Sequence, residues 1–209
     1  MKFLSLYIEK WYLIGAVSID NITHPITLPN REDRIWLFFY EDISSNKIVY
    51  SKDNQIHFRN KEKHYYGDVF SLLTNTQSTF VRFGRELQMK EIFKASDIFD
   101  VLRSNFEQDK GNIPTYISFS PDITSAAQSI FLELLKENNF DVKESVARVE
   151  HLAIEYSSRK NKLIKGVHFL VINACNENLH YSFYSKKEGL YLRKGSDSMI
   201  GLGTDFRGR

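Results

Sequence analysis

Apolar and polar residues alternate with a period of two through the first part of the chain. This alternation places successive side chains on opposite faces of a half-buried β-strand. Short segments rich in Asn, Asp and Ser separate the alternating stretches, and they predict turns. The predicted strands are Phe3–Ile8, Tyr12–Ile19, Ile35–Tyr40, Lys47–Tyr50 and Gln55–Phe58. The pattern therefore indicates a β-meander.

Farther along the chain the apolar spacing lengthens to the helical period, and helices alternate with strands. Ser96 and the segment Ser120-Pro121-Asp122 have the residue types that favour helix starts. Helices are predicted over Asp68–Leu73, from Ser96 to Phe106, from Ser120 to Leu135 and from Val149 to Tyr156. Strands are predicted over Pro114–Ser120, Asp141–Val146, His168–Asn173, Leu179–Tyr184 and Gly189–Arg193. This order predicts an α/β fold with a mixed sheet.

Composition and charge narrow the class of protein. The chain has 209 residues with 42% hydrophobic content, which is ample for a packed core. Its 28 Lys and Arg residues nearly balance 26 Asp and Glu residues. The formal net charge of +2 therefore favours neither a nucleic-acid partner nor a membrane partner.

The N-terminal segment and the cysteine content bear on localisation. Glu9 and Lys10 split the apolar N-terminal segment, which we interpret as part of the mature fold. No run of about 18 uncharged apolar residues predicts a transmembrane helix. The single cysteine, Cys175, cannot form an internal disulfide and favours a reducing compartment. The predicted location is the cytoplasm.

Candidate reactive residues occur at spacings of low specificity. The six histidines share no metal-ligand spacing such as H-E-x-x-H, so no metal site is predicted. Cys175 and His180, five positions apart, suggest a nucleophile and its base, but a buried cysteine at a strand end is the favoured interpretation. The basic residues between Arg159 and Lys165 favour a solvated loop over a nucleic-acid surface.

Several motifs follow one another in the order found in a known family. The stretch DITSAAQSIFLELLKENNFDVKESVARVEHLAIEYS lies without a gap where that family has a helix, a short strand and a second helix. The other matching motifs are Ile14–Val17, Asn30-Arg31 with Trp36–Phe39, Tyr66-Gly67-Asp68 and Gly201–Phe206. In this order they resemble the nucleotide-binding domain of the seventy-kilodalton (DnaK-type) heat-shock chaperones, a branch of the actin and sugar-kinase superfamily.

The resemblance implies an actin-like ATPase (ribonuclease H-like) fold with mixed sheets flanked by helices. Residues 1–165 would form the first lobe, with a β-rich insertion near residues 45–95. Residues 166–209 would contain only the first strands of the second lobe, because the family continues after the motif matched by Gly201–Phe206. The resemblance therefore implies a truncated or naturally incomplete domain.

Members of this family hold ATP phosphates on two glycine-containing hairpin turns, since glycine amides can curl around an anion. The matching positions here lack those glycines, and Glu9 and Glu177 add negative charge that disfavours phosphate. Asn176 and Asn178 can adopt the left-handed conformation and thereby preserve the second turn. The degenerate phosphate-loop positions are Ile8, Glu9, Lys10, Asn173, Cys175, Asn176, Glu177 and Asn178.

The remaining site positions are degenerate as well. Arg148-Val149 stands where the family has a Glu-Pro pair that supports the magnesium water shell, and Arg82 replaces a lysine as a possible phosphate contact. Phosphoryl transfer requires both metal-organising carboxylates and preorganised amides. The chain is therefore predicted to be a non-hydrolysing binding or scaffold module (a pseudo-ATPase) with no catalytic residues, no resident cofactor and a protein partner or client.

Two alternatives stay open at this point. In the first, the chain belongs to an ATP-binding chaperone ATPase that uses ATP and magnesium, and a further C-terminal segment completes its site. In the second, it is an unrelated α/β partner-binding protein. Strands around Leu6 and Cys175 that do not form two equivalent hairpins would favour the second alternative.

Overall fold

The computed structural model describes residues 2–20, 22–26, 34–42, 47–50, 65–66, 68–77, 79–82, 85–106, 111–143, 154, 168–175, 178–188 and 190–200. The chain divides into two units. The first consists of Met1–Ile117 with Ile123–Val146, and the second of Ser118–Asp122 with Ala147–Arg209. Strands outnumber helices in the described residues, and the architecture is mixed α/β with a mixed sheet. The predicted α/β class is confirmed at this level.

The elements follow one another along the chain as alternating groups of strands and helices. The strands are β1 (Lys2–Ile8), β2 (Tyr12–Ile19), β3 (Ile22–Pro25), β4 (Arg34–Trp36), β5 (Phe39–Asp42), β6 (Lys47–Tyr50), β7 (Tyr65–Tyr66), β8 (Thr79–Arg82), β9 (Arg85–Gln88), β10 (Ile113–Phe119), β11 (Phe140–Val142), β12 (His168–Ala174), β13 (Asn178–Lys187) and β14 (Leu190–Ile200). The helices are α1 (Val69–Thr74), α2 (Met89–Ala95), α3 (Ile98–Ser104) and α4 (Ser125–Glu137).

The main sheet of the first unit has the strand order β11-β10-β1-β2-β3, and β4 also pairs with β2. Strands β1 and β2 are antiparallel, with Leu4 opposite Val17, whereas β10 and β11 are parallel. Alternate residues of β1, namely Leu4, Leu6 and Ile8, are buried. The predicted strand is therefore confirmed, and one of its faces is buried.

Aromatic side chains form much of the first unit's core. The buried ring of Phe93 on α2 has its centroid 4.8 Å from that of Phe39 and 5.6 Å from that of Phe131. Phe99 on α3 lies 6.1 Å from it. These contacts join β5 and three helices around one buried side chain.

The second unit contains a three-stranded sheet in the order β12-β13-β14, and both pairings are antiparallel. The register of β13 against β14 shifts between Phe183 and Tyr184. On one face, the ring of Phe169 stacks on Tyr184 at 5.6 Å and meets the edge of Tyr191 at 5.7 Å. Two hairpins thus build this sheet from consecutive strands.

Some predicted elements are wrong in detail. The predicted strand Ile35–Tyr40 is interrupted at Leu37 and Phe38, although the Leu37 N–H still donates to the Trp11 carbonyl at 2.8 Å, next to the Tyr12–Trp36 pair. After this break β5 pairs with β6 and β7 in a different sheet. The strand β3, the β8–β9 hairpin and the helix α2 were not predicted.

The predicted helix starts also need correction. Ser96 does not cap the N-terminus of a helix; it is the C-cap of α2, and its Oγ donates to the Phe93 carbonyl at 2.7 Å. Helix α4 begins at Ser125 rather than at Ser120-Pro121-Asp122. Asp122 is therefore in a turn before the helix.

Thr124 is the N-cap of α4, and its hydroxyl oxygen accepts a hydrogen bond from the Ala127 N–H at 3.3 Å. We expect Thr124→Ala to lower the free energy of unfolding by about 1 kcal/mol, because a helix-terminal amide loses its acceptor. Urea denaturation measures this change. Ser125→Ala is the matched control, because it removes a neighbouring hydroxyl in the first turn. Equal losses in the two variants would contradict the capping role.

Some predictions fall outside the described residues. They concern the strand Gln55–Phe58, the end of the strand predicted to Val146, the motifs Asn30-Arg31 and Gly201–Phe206, and all of the helix Val149–Tyr156 except Ile154. Among the helices that the structure describes, none combines the length and apolar character needed to cross a membrane.

Candidate functional site

The first candidate turn joins β1 to β2. Pairing of the two strands ends at Ile8 opposite Leu13, and the Glu9 N–H donates to the Tyr12 carbonyl at 2.8 Å. Lys10 and Trp11 form the tip of the hairpin. Because the Glu9 amide makes the hydrogen bond that closes the turn, it is not available to donate to a bound anion.

The side chains of this first turn are also engaged within the first unit. Glu9 is 3% exposed, and the Tyr7 hydroxyl donates to its Oε1 at 2.5 Å. The Lys10 ammonium lies 3.3 Å from Asp68 Oδ2 and 5.2 Å from the centre of the Trp11 ring. A buried carboxylate and a neutralised lysine leave little positive charge at this turn for an anion.

The second candidate turn joins β12 to β13 in the second unit. Pairing ends at Ala174 opposite Leu179, and the Cys175 N–H donates to the Asn178 carbonyl at 3.0 Å. In both hairpins, therefore, the first of the four residues between the last paired positions donates to the fourth. The two turns therefore close with the same hydrogen bond.

The asparagines of the second turn were expected to adopt the left-handed conformation. Asn178 does not; it is the first residue of β13 and has no positive φ. Its side chain instead donates from Nδ2 to Asp122 Oδ1 at 2.7 Å. Asn176 and Glu177 lie outside the described residues.

Asp122, Cys175 and His180 form a cluster beside this second turn. One possible ligand atom from each residue lies within 4.8 Å of the other two. His180 Nε2 is 2.7 Å from Asp122 Oδ1, and donation from this nitrogen requires the tautomer protonated at Nε2. The Asp122 side chain is only 2% exposed, and Cys175 is 1% exposed.

Local structure explains how these residues meet. Asp122 lies in the turn after β10, where its N–H donates to Ser120 Oγ at 3.4 Å. Cys175 follows the last residue of β12, and His180 is the third residue of β13. A short hairpin thus brings the cysteine and the histidine together, and the Asp122 turn adds the carboxylate.

Within the part of the chain that the structure describes, two buried polar atoms near this cluster have no hydrogen-bond partner. They are Asp122 Oδ2 and Asn173 Nδ2. Asn173 lies directly opposite His180 in the β12–β13 ladder, so the two side chains share a face of the sheet. Buried polar atoms without a protein partner are uncommon, and a bound water or ion can satisfy them.

A shallow pocket of about 190 Å³ provides access to His180 from solvent. Its lining includes Pro121, Ser182, Arg193 and Ser196. At the same pocket, Tyr181 donates from its hydroxyl to Asp197 Oδ2 at 3.2 Å, and partial burial together with this bond raises the pKa of Tyr181. The histidine of the cluster is therefore its solvent-accessible member.

The structure brings together residues that are far apart in the sequence. The spacing of Cys175 and His180 suggested a reactive pair, and the two do lie together, but burial of the cysteine does not suit a nucleophile that must meet a substrate. Asp122 was missed because it is distant in the sequence. Its position directly after a predicted strand was the available signal, since strand ends and loops commonly carry functional residues.

Arg82 was expected to contact phosphate. It is the last residue of β8 and pairs with Arg85 across the β8–β9 hairpin. Its side chain lies outside the description, so the predicted phosphate contact stays a prediction.

No protein-family model matches this chain, and no curated protein matches it significantly. The functional interpretation is therefore based on the residues of the two hairpins and of the Asp122 cluster.

Proposed function

We propose that the protein is a heat-shock-chaperone-like, actin-fold domain with a degenerate nucleotide site. In this proposal it acts in the cytoplasm as a non-hydrolysing binding or scaffold module for a protein partner. The observation that carries the proposal is the pair of hairpins at Glu9–Tyr12 and Cys175–Asn178, which close with the same hydrogen bond at the two positions expected for phosphate loops. Two such turns at both matching positions support a common origin with the family.

The chemistry of the first turn supports the loss of nucleotide binding. A phosphate cradle needs amides that point at the anion and a nearby positive charge. Here the Glu9 carboxylate is buried beside Tyr7, and the Lys10 ammonium pairs with Asp68. A triphosphate at this turn would therefore lie close to the Glu9 carboxylate, and the nearby Lys10 ammonium is already paired with Asp68.

The second turn has a different obstacle. Asn178 and His180 both contact the Asp122 carboxylate, so polar side chains and a buried acid lie beside this turn. A phosphate there would have to approach a second buried carboxylate. Both loops have thus exchanged an anion-binding surface for polar contacts of their own.

We expect no ATP-specific stabilisation in a thermal melt with millimolar ATP and magnesium. A ligand present at 100 times its dissociation constant adds about 2.7 kcal/mol of stability, which for a domain of this size raises the melting temperature by about 5–10 °C. Tripolyphosphate with magnesium is the matched control, because it carries a similar charge without the nucleoside. An upshift seen with ATP and not with tripolyphosphate would contradict the proposal.

Phosphate release separates loss of hydrolysis from loss of binding. We expect no release above a protein-free blank, either from this chain or from the full-length natural gene product. Release from the full-length product alone would favour the alternative in which further chain completes an ATPase site.

A further inference from the structure

The side chains of the Asp122 cluster are of the types that bind transition metals. A cysteine thiolate, a histidine imidazole and an aspartate carboxylate are all established zinc ligands, and thiolate with imidazole favours zinc over magnesium or calcium. Their candidate ligand atoms lie within 4.8 Å of one another. The site therefore has three ligands of suitable chemistry from two neighbouring segments of the second unit.

The distances require only a small adjustment. Zinc bonds of about 2.0–2.3 Å in a tetrahedron place ligand atoms roughly 3.3–3.6 Å apart. Ligand atoms separated by up to 4.8 Å therefore need to approach by up to about 1.5 Å, and we expect rotation of the Cys175 and Asp122 side chains to supply this movement. Cys175 and His180 flank the same short turn, so their mutual distance is already restricted by the hairpin.

The buried atoms without partners supply the independent observation. Asp122 has a side chain only 2% exposed, and its Oδ2 makes no hydrogen bond while Oδ1 contacts both Asn178 and His180. A buried carboxylate oxygen without a donor is costly, and a bound cation removes that cost. Asn173, opposite His180, is a partly exposed residue whose Nδ2 atom is buried and has no hydrogen-bond partner among the described residues. Its amide oxygen and nitrogen can exchange places by a flip, which would turn an acceptor toward the same region.

We propose that Asp122, Cys175 and His180 bind one zinc ion per chain and thereby join the β12–β13 hairpin to the turn after β10. Binding converts the Cys175 thiol to a thiolate and releases its proton to solvent, while His180 binds in its neutral form. The thiolate and the Asp122 carboxylate balance the charge of the ion. Water from the pocket beside His180, or the Asn173 amide, provides the fourth ligand.

The metal-site proposal does not depend on the proposal that the β12–β13 turn derives from a phosphate-binding loop. Zinc binding requires only the three side chains, whatever the ancestry of the fold. The result of a metal-binding test therefore does not bear on the proposed function, which has its own experiment.

Cobalt(II) tests the site directly, because it substitutes for zinc and gives a thiolate charge-transfer absorption that zinc lacks. The sequence contains a single cysteine, so in a tag-free monomer such a band can arise only from Cys175. We expect the untagged chain, stripped with a chelator and kept reduced, to develop this band to a plateau at one cobalt per chain. Added zinc should abolish the band by competition, and zinc at 100 times its dissociation constant should raise the melting temperature by about 5–10 °C.

Variants assign the ligands. Cys175→Ala should lose the band entirely, while Asp122→Asn and His180→Gln should weaken cobalt binding at least about 100-fold, since even changes outside a ligand set cost 10–100-fold. His168→Gln, an exposed histidine on the same sheet, is the matched control and should bind as the wild type does. Circular dichroism establishes that each variant is folded.

The result that overturns the proposal is available from the wild-type protein alone. If the folded, reduced chain shows no thiolate band with cobalt and no zinc-dependent upshift, the cluster is not a metal site. A band whose plateau requires two chains per cobalt, with dimers in light scattering, would equally overturn the single-chain site. Rapid alkylation of Cys175 that zinc does not slow would instead favour a reactive thiol.

Discussion

Replacing Phe93 by alanine is expected to lower the free energy of unfolding of the first unit by about 3–5 kcal/mol. The Phe93 ring is buried and lies 4.8 Å from Phe39 and 5.6 Å from Phe131, measured between ring centroids. Truncation to alanine loses the free energy of burying the ring. It also leaves a cavity whose lining atoms have lost their contacts with the ring. Phe93→Leu retains more of that volume and should cost less.

The measurement can be restricted to the first unit. Both tryptophans of the chain, Trp11 and Trp36, lie there, so intrinsic fluorescence during urea denaturation reports on this unit. Ile22→Ala is the control in the same unit, because Ile22 is 61% exposed and its loss should cost less than about 1 kcal/mol. Equal effects for Phe93→Ala and Ile22→Ala would show that the aromatic core is not organised as described.

The second large effect is expected at Gly15 in β2. A Cβ atom at this position would lie 2.5 Å from Ile26 Cδ1 and 3.2 Å from Leu6 Cδ2, and both of these side chains are buried. The Ile26 N–H also donates to the Gly15 carbonyl at 2.8 Å, which holds the two backbones close together. Gly15→Val should therefore cost about 1–3 kcal/mol through overpacking.

A double-mutant cycle with Ile26→Ala distinguishes this clash from a general intolerance of β2. Ile26→Ala alone should cost about 2–5 kcal/mol, because it leaves a cavity. In the double variant the valine fills that cavity, so the total loss should fall short of the sum of the two single losses by about 0.5–3 kcal/mol. Strict additivity would place the cost of Gly15→Val elsewhere than at Ile26.

Strands were the elements that the sequence predicted best. The predicted bounds of β2 and β6 match the structure, and those of β1 and β12 differ by one residue. In β1 and β2 the burial alternates along the strand, which leaves a period-two pattern in the sequence. Helix α2 was missed because it follows β9 directly and begins after Gln88, without the Ser, Thr, Asp or Asn that marks a helix start. Ser96, between α2 and α3, has the residue type of an N-cap, but tertiary packing makes it the end of the earlier helix.

The candidate site, too, could be predicted only in part from the sequence. Cys175 and His180 could be placed together from sequence, because a short turn between two strands brings nearby residues face to face. The contact with Asp122 could not, since it depends on how the turn after β10 meets β13. The burial that favours a ligand over a nucleophile is likewise a property of tertiary packing.

The strand order of the first unit has a consequence for folding kinetics. Strand β1 lies beside β10 in the main sheet, although most of the unit's sequence separates them, whereas β1 and β2 are joined by a short hairpin. Closing a long loop costs chain entropy before its contacts form, so pairings distant in sequence form slowly. During synthesis, the β1–β2 hairpin therefore emerges with one edge open, and its sheet becomes complete only after β10 and β11 have left the ribosome.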